Sequence, residues 1–213
     1  MKLQSLKNHL QINFKPHLMN PILNQNLFLV KEHVGMFKAA NNYDIYNPES
    51  NQIILNCREN NLGTFTKIFR FTDYKRMTPF DIEITTASGE KVITVKRGIA
   101  WLRSTVTVFD EKDRLVGTFK QKFFSFGGRF EILDKNEKPV ATLQGKWTGW
   151  DFKFTHENKQ LAQVSKKWAG MGKELFTSAD NYVLQIEETV GADSPQRQLI
   201  MAAVMCIDMV LKE

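Results

Sequence analysis

One pattern occurs three times in succession in the middle of the chain, and it limits the possible folds more than any other feature. Val106-Thr107-Val108-Phe109 runs into the polar turn Asp110-Glu111-Lys112-Asp113 and out through Leu115-Val116-Gly117-Thr118-Phe119. Phe130-Glu131-Ile132-Leu133 does the same through Asp134-Lys135-Asn136-Glu137 into Val140-Ala141-Thr142-Leu143. Phe152-Lys153-Phe154-Thr155 follows, with His156-Glu157-Asn158-Lys159 and Leu161-Ala162-Gln163-Val164. Two earlier units have the same form: Ile45-Tyr46 and Ile53-Ile54-Leu55 around Asn47-Pro48-Glu49-Ser50, and Ile82-Glu83-Ile84 and Val92-Ile93-Thr94-Val95 around Ala87-Ser88-Gly89. Each is an alternating strand, a turn of Asx, Pro, Gly or charged residues, and a second alternating strand.

Five hairpins in series with no helical crossover make an antiparallel meander. The repeat is about half the ~40–50 residues of a four-stranded propeller blade. A closed barrel is the better solution, because closure removes the edges that a long meander leaves open. Residues 58–78 are less periodic and carry no assignment. The length of 213 residues suffices for one core, which at this size buries roughly 70% of the surface of the unfolded chain.

The C-terminal segment differs in kind. Asp193 or Ser194 can cap a helix with Pro195 at its first position, and an almost unbroken apolar run follows. A helix apolar on nearly every face must be surrounded by lipid or by protein. Only about thirteen positions separate Leu199 from Leu211, one of them Asp208, whereas a membrane span takes ~20 apolar residues. The helix is therefore expected to be the hydrophobic core, with Leu199, Ile200, Ala203, Val204, Ile207, Val210 and Leu211 facing the wall. Asp208 is expected near one mouth of the barrel, hydrogen-bonded or solvated.

The formal charge of +6 allows an anionic partner, either nucleic acid or a membrane surface. Residues 1–20 hold Lys2, Lys7 and Lys15 and no acid, and read as a basic flexible arm before a domain of residues 21–213. Lys7, His9, Asn13 and Lys15 interrupt any apolar run there, so the segment does not read as a secretory signal. No RNA-recognition or helix-turn-helix pattern occurs, which leaves nucleic acid resting on charge alone. Lys96, Arg97 and Arg103 flank Gly98-Ile99-Ala100-Trp101, and Lys120, Lys122 and Arg129 flank the loop Phe124-Ser125-Phe126-Gly127-Gly128. Cations beside exposed apolar side chains are what an interfacial membrane contact uses, which makes these six the headgroup-binding candidates. Ordinary strand-end lysines and arginines would give the same pattern.

Catalytic motifs are absent: the sequence has no Gly-x-Ser-x-Gly, no His-Glu-x-x-His, no Cys-x-x-Cys and no dinucleotide glycine fingerprint. Near Gly172 a phosphate loop fails, because Lys167 stands where its first Gly belongs and Glu174 where Ser or Thr would hold magnesium. His9, His17, His33 and His156 are scattered, so no metal centre is expected. Cys57 and Cys206 sit in apolar neighbourhoods and read as buried small hydrophobes in a reducing compartment, hence the cytoplasm. The tryptophans read as core or strand-end packing.

Ser165-Lys166-Lys167-Trp168-Ala169-Gly170, with Lys173-Glu174-Leu175-Phe176-Thr177 and Ala179-Asp180-Asn181-Tyr182, resembles the signature stretch of the phospholipid scramblase family, within the Tubby C-terminal-like (LURP-one-related) group. The ending from Ala202 to Glu213 is similar to that family's closing helix, and Phe37 to Ile45 to its first strand pair. The resemblance implies a mainly β fold, a closed antiparallel barrel of about twelve strands wrapped around a buried C-terminal helix. It also implies non-enzymatic, calcium-stimulated movement of phospholipids between leaflets, or phosphoinositide binding as in the Tubby relatives. A peripheral place at the inner face of an anionic membrane follows from it. The Pro-rich region and cysteine cluster of animal scramblases have no counterpart in these residues, and residues 96–104 stand about where the cysteines would be. The family's calcium loop matches residues 178–189, but Ser178 and Thr189 replace its acidic ends and Val183 its turn glycine. Only Asp180 and Asn181 remain as oxygen ligands, with Glu187 and Glu188 nearby, so no cofactor is expected. The alternative reading is a soluble small-ligand or protein-binding barrel without membrane activity.

Overall fold

A computed structural model describes residues 19–33, 40–60, 63–69, 71–72, 77–101, 103–122, 128–146, 150–166 and 181–211. Its twelve strands form one closed antiparallel barrel in which sequence neighbours pair throughout and β1 closes on β12. The strands are β1 (Leu27–Glu32), β2 (Tyr43–Tyr46), β3 (Ile53–Glu59), β4 (Phe80–Thr86), β5 (Lys91–Arg97) and β6 (Thr105–Asp110), then β7 (Leu115–Gln121), β8 (Arg129–Asp134), β9 (Pro139–Lys146), β10 (Asp151–His156), β11 (Lys159–Ser165) and β12 (Asn181–Ile186). All five hairpins read from the sequence are present. Alternation decides which way each side chain points, so Ile82 and Ile84, Val106 and Val108, Phe130 and Ile132, and Phe152 and Phe154 face inward and are buried.

The turns have local causes. Asp110 Oδ1 accepts from the backbone N–H groups of Lys112 and Arg114, and Asp134 Oδ1 from those of Asn136 and Lys138. Each carboxylate thus closes the loop that follows it. The third turn is tighter than its repeat suggests. His156 and Lys159 belong to the strands, and Glu157 and Asn158 form a two-residue loop with positive φ at both positions.

Helix α2 (Pro195–Cys206) threads the barrel and continues as a π-helical turn over Ile207–Leu211. Ser194 caps it, its hydroxyl accepting from the N–H of Gln196 at 3.3 Å, with Pro195 at the first position. Leu199, Ile200, Ala203, Val204 and Ile207 are buried as expected, and Val210 is half-buried against the same core. The side chain of Leu211 lies outside the described residues. Against the helix, Phe119 meets Phe130 and Phe154 edge to face at 6.2 and 6.4 Å. Gly117 lets β7 approach closely: a Cβ there would collide with the Leu133 carbonyl oxygen and crowd Leu199.

Two residues just ahead of residue 21 take part in the packing. Met19 is buried in the core cluster, and the Asn20 side chain accepts from the Ile22 N–H to start a short 3-10 turn over Pro21–Asn24. Arg197 clamps that turn. It donates to the carbonyls of Leu23, Gln25, Val190 and Gly191 and to the Asn26 side chain, all within 3.1 Å. A short helix α1 (Thr64–Phe69) occupies the stretch that carried no assignment.

Candidate functional site

The two mouths of the barrel are built differently. Tight turns and the start of α2 occupy one, and at the other, among the described residues, Arg97 at the end of β5 joins the β3–β4 connection at Thr78 to the π-helical turn at Met209. At that second mouth the β3–β4 connection carries α1, and the β5–β6 connection, residues 98–104, comes alongside it. Five apolar side chains are exposed here: Ile68, Phe69 and Phe71 around α1, then Ile99 at 65% and Trp101 at 78%. Of the remaining large apolar side chains among the described residues, only Ile53 and Leu115 are classed as exposed, which makes this a concentrated patch rather than the scatter normal for a surface. Between the two segments runs a groove of about 410 Å³ lined by Thr66, Phe69, Met77, Thr78, Pro79, Ile99 and Trp101.

The six headgroup candidates separate on inspection. Lys96 near the end of β5, Arg103 two residues past Trp101, and Lys67 on α1 are all exposed. Lys96 Nζ lies 3.1 Å from Asp81. Lys122 and Arg129 are exposed on either side of residues 123–127, which lie outside the described set, and Lys122 pairs with Glu131 at 2.7 Å. Lys120 is on the outer wall of β7, 3.9 Å from Glu137.

Arg97 requires a correction, because it points inward and is 4% exposed. It donates to the Thr78 carbonyl at 2.5 Å, the Ser104 hydroxyl at 3.3 Å and the Met209 carbonyl at 3.5 Å, and it lies 4.8 Å over the Phe80 ring. A guanidinium so enclosed ties the mouth together and is not presented to a headgroup. Its phase along β5 is the signal, since Ile93, Val95 and Arg97 share the inner face.

Beside it, the Tyr43 hydroxyl donates to Asp208, which is buried as Tyr43 is. Burial, followed by the Asp208 charge, raises the Tyr43 hydroxyl well above its ordinary pKa and keeps it a donor. Burial likewise raises both thiols, Cys57 and Cys206, and leaves them unreactive. Trp101 departs from the packing expected of it, whereas Trp150 stacks on Tyr182 at 5.3 Å under the Lys166 ammonium. Trp147, Trp168 and Asp180 lie outside the described residues. Asn181 opens β12, paired in register with Lys31, and the Glu187 carboxylate accepts from the Gln160 amide at 2.9 Å. Among the described residues no helix is long and apolar enough to cross a membrane, and no three His, Cys, Asp or Glu residues are grouped to hold a metal ion.

Sequence comparison adds an independent line. The Scramblase family model matches residues 8–213, starting inside the segment read as an arm. A phospholipid scramblase family protein of Schizosaccharomyces pombe is 24% identical over 91% of this chain and 56% of its own length. The altered inheritance rate of mitochondria protein 25 of Saccharomyces cerevisiae is 22% identical over 78% of this chain and 60% of that protein. Phospholipid scramblase 2 of Homo sapiens is 23% identical over 90% of this chain and 67% of that protein. The chain therefore spans between about half and two thirds of the length of these relatives. No solved structure matches it.

Proposed function

The chain belongs to the scramblase family, and from that premise we propose that it is a non-enzymatic, scramblase-like protein that attaches peripherally to anionic membranes by the α1 mouth of its barrel. The observation that carries this reading is the exposed group Ile68, Phe69, Phe71, Ile99 and Trp101, with the exposed cations Lys67, Lys96 and Arg103 close to them in sequence. Apolar side chains at this exposure gain free energy by entering the acyl boundary, and each nearby cation adds about 1 kcal/mol toward an anionic surface. Movement of lipid between leaflets is the finer form of the same proposal. It needs no covalent chemistry. The family's relatives named for phospholipid scrambling support both forms. A ligand inside the barrel is disfavoured because α2 fills the interior.

The test is co-sedimentation with phosphatidylserine-containing and with neutral phosphatidylcholine vesicles at low and high salt. Binding is expected only to the anionic vesicles and should weaken as salt screens the cations. Ile99→Ser with Trp101→Ser should reduce binding while leaving the melting temperature unchanged, because both side chains are exposed. Equal binding to neutral vesicles, or none to either kind, would overturn the reading.

A further inference from the structure

The groove at this mouth is held open by the fold. The Ala100 N–H donates to the Met77 carbonyl at 3.1 Å, fixing the 98–101 segment against its floor. Buried Arg97 fixes that floor in turn, through the Thr78 carbonyl at 2.5 Å and the end of the C-terminal helix through Met209. Phe69, Met77, Pro79, Ile99 and Trp101 line it with carbon, and Thr66 and Thr78 are the other lining residues. Its volume of about 410 Å³ falls within the ~300–1,000 Å³ typical of small-ligand sites. Lys67 stands on α1 and Arg103 on the 98–104 connection, the two segments that wall it, and Lys96 comes just before the second of them, near the end of β5.

An apolar groove with cations at its rim suits a ligand with a hydrocarbon chain and an anionic head. We propose that it takes one acyl chain of an anionic membrane phospholipid, lifted from the bilayer, with the phosphate at the Lys67, Lys96 and Arg103 rim. The inference rests on the membrane reading above and deepens it: the protein holds a single lipid rather than only touching a surface. Lys96 is the cation through which the head competes, since its ion pair with Asp81 is half exposed and can be exchanged for a phosphate. A partner protein's apolar side chain would use the groove but would have no use for the cations.

The chain length of a soluble amphiphile decides the matter. Hexyl, octyl and decyl phosphate are titrated into the full chain below their micelle-forming concentrations, without vesicles, by calorimetry. Affinity should rise about fourfold per added methylene until the groove is full. Thr66→Trp and Met77→Trp each fill the groove, and either should abolish that dependence while vesicle co-sedimentation persists. The thermal melt identifies a variant that fails to fold. Vesicle binding without chain-length dependence would overturn the groove proposal and leave the membrane reading intact. Chain-length dependence without vesicle binding would overturn the membrane source of the lipid. Octanol binding as tightly as octyl phosphate would overturn the anionic head and indicate an apolar protein segment as occupant.

Discussion

The hydroxyl of Tyr43, at the start of β2, donates its hydrogen bond to the carboxylate of Asp208, one turn from the end of the C-terminal helix. Both groups are buried, and the Met209 sulfur lies 3.8 Å from the same hydroxyl. The contact fixes how far the helix is pushed through the barrel. It also resolves the two settings the sequence leaves open for Asp208, in favour of a hydrogen-bonded one.

Tyr43→Phe removes that donor and leaves the packing almost unchanged. A buried carboxylate deprived of a donor costs about 1–3 kcal/mol. Urea denaturation should therefore show a lower midpoint with an unchanged slope, since the change acts on the folded state. An unaltered midpoint would mean that the contact contributes nothing to stability.

Arg97 and Lys96 are adjacent, and their variants should separate cleanly. Arg97→Met removes donors from the Thr78 and Met209 carbonyls and should destabilise the fold by about 1–3 kcal/mol. Lys96→Gln should leave stability nearly unchanged and weaken binding to anionic vesicles by about fivefold, the equivalent of ~1 kcal/mol for one surface cation. The reverse assignment of effects would show that Arg97 reaches a headgroup after all.

Acid should destabilise the barrel in a defined window. Burial alone would raise the Asp44 pKa, but the hydrogen bonds from Arg58 and His33 outweigh it and hold the group below its ordinary 3.8. Asp110 is also burdened by burial and is lowered by the Arg114 and Lys112 N–H groups and the Arg114 guanidinium. A carboxylate depressed in the folded state binds fewer protons than in the unfolded one. Its stabilisation is then complete above the unfolded pKa and is lost as pH falls through the folded value. Melting temperature should hold steady near neutrality and decline below about pH 4, less steeply in Asp44→Asn. An equal acid slope in that variant would exclude Asp44 as a source.

Calcium at micromolar concentration should not bind through residues 178–189. Calcium takes six to eight oxygens, and among the described members of that stretch Asn181 is committed to a strand and Glu187 to Gln160. Isothermal titration with calcium should give no heat above dilution. A micromolar isotherm abolished by Asp180→Ala would contradict this.

The wall of the barrel was legible because its cause is local. Alternation and a turn-closing aspartate sit within one hairpin, as in Val106-Thr107-Val108 ahead of Asp110. Leu27–Glu32 and Asn181–Ile186 pair only with each other and with the ends of the meander, and no turn joins them. Their partnership therefore has no short-range signature, and only the family resemblance supplied the count of twelve. Helix α1 is six residues long and too short to show a period. Of the site, Ile99, Trp101, Lys96 and Arg103 were readable as one stretch. The groove was not, because Thr66, Met77 and Ile99 meet only once the β3–β4 and β5–β6 connections lie side by side.

The helix that fills the interior follows all twelve strands in the chain, and this sets the order of biosynthesis. Strands emerging from the ribosome present Phe119, Phe130, Phe152 and Phe154 on a sheet whose filling has yet to be made. The seam also stays open, because β1 waits for a partner made near the end of the domain. Pairings of such long sequence separation form slowly, and the nascent chain meanwhile exposes an apolar face and an unprotected edge. Until α2 is made and threaded, nothing in the chain can cover the inner face of these strands.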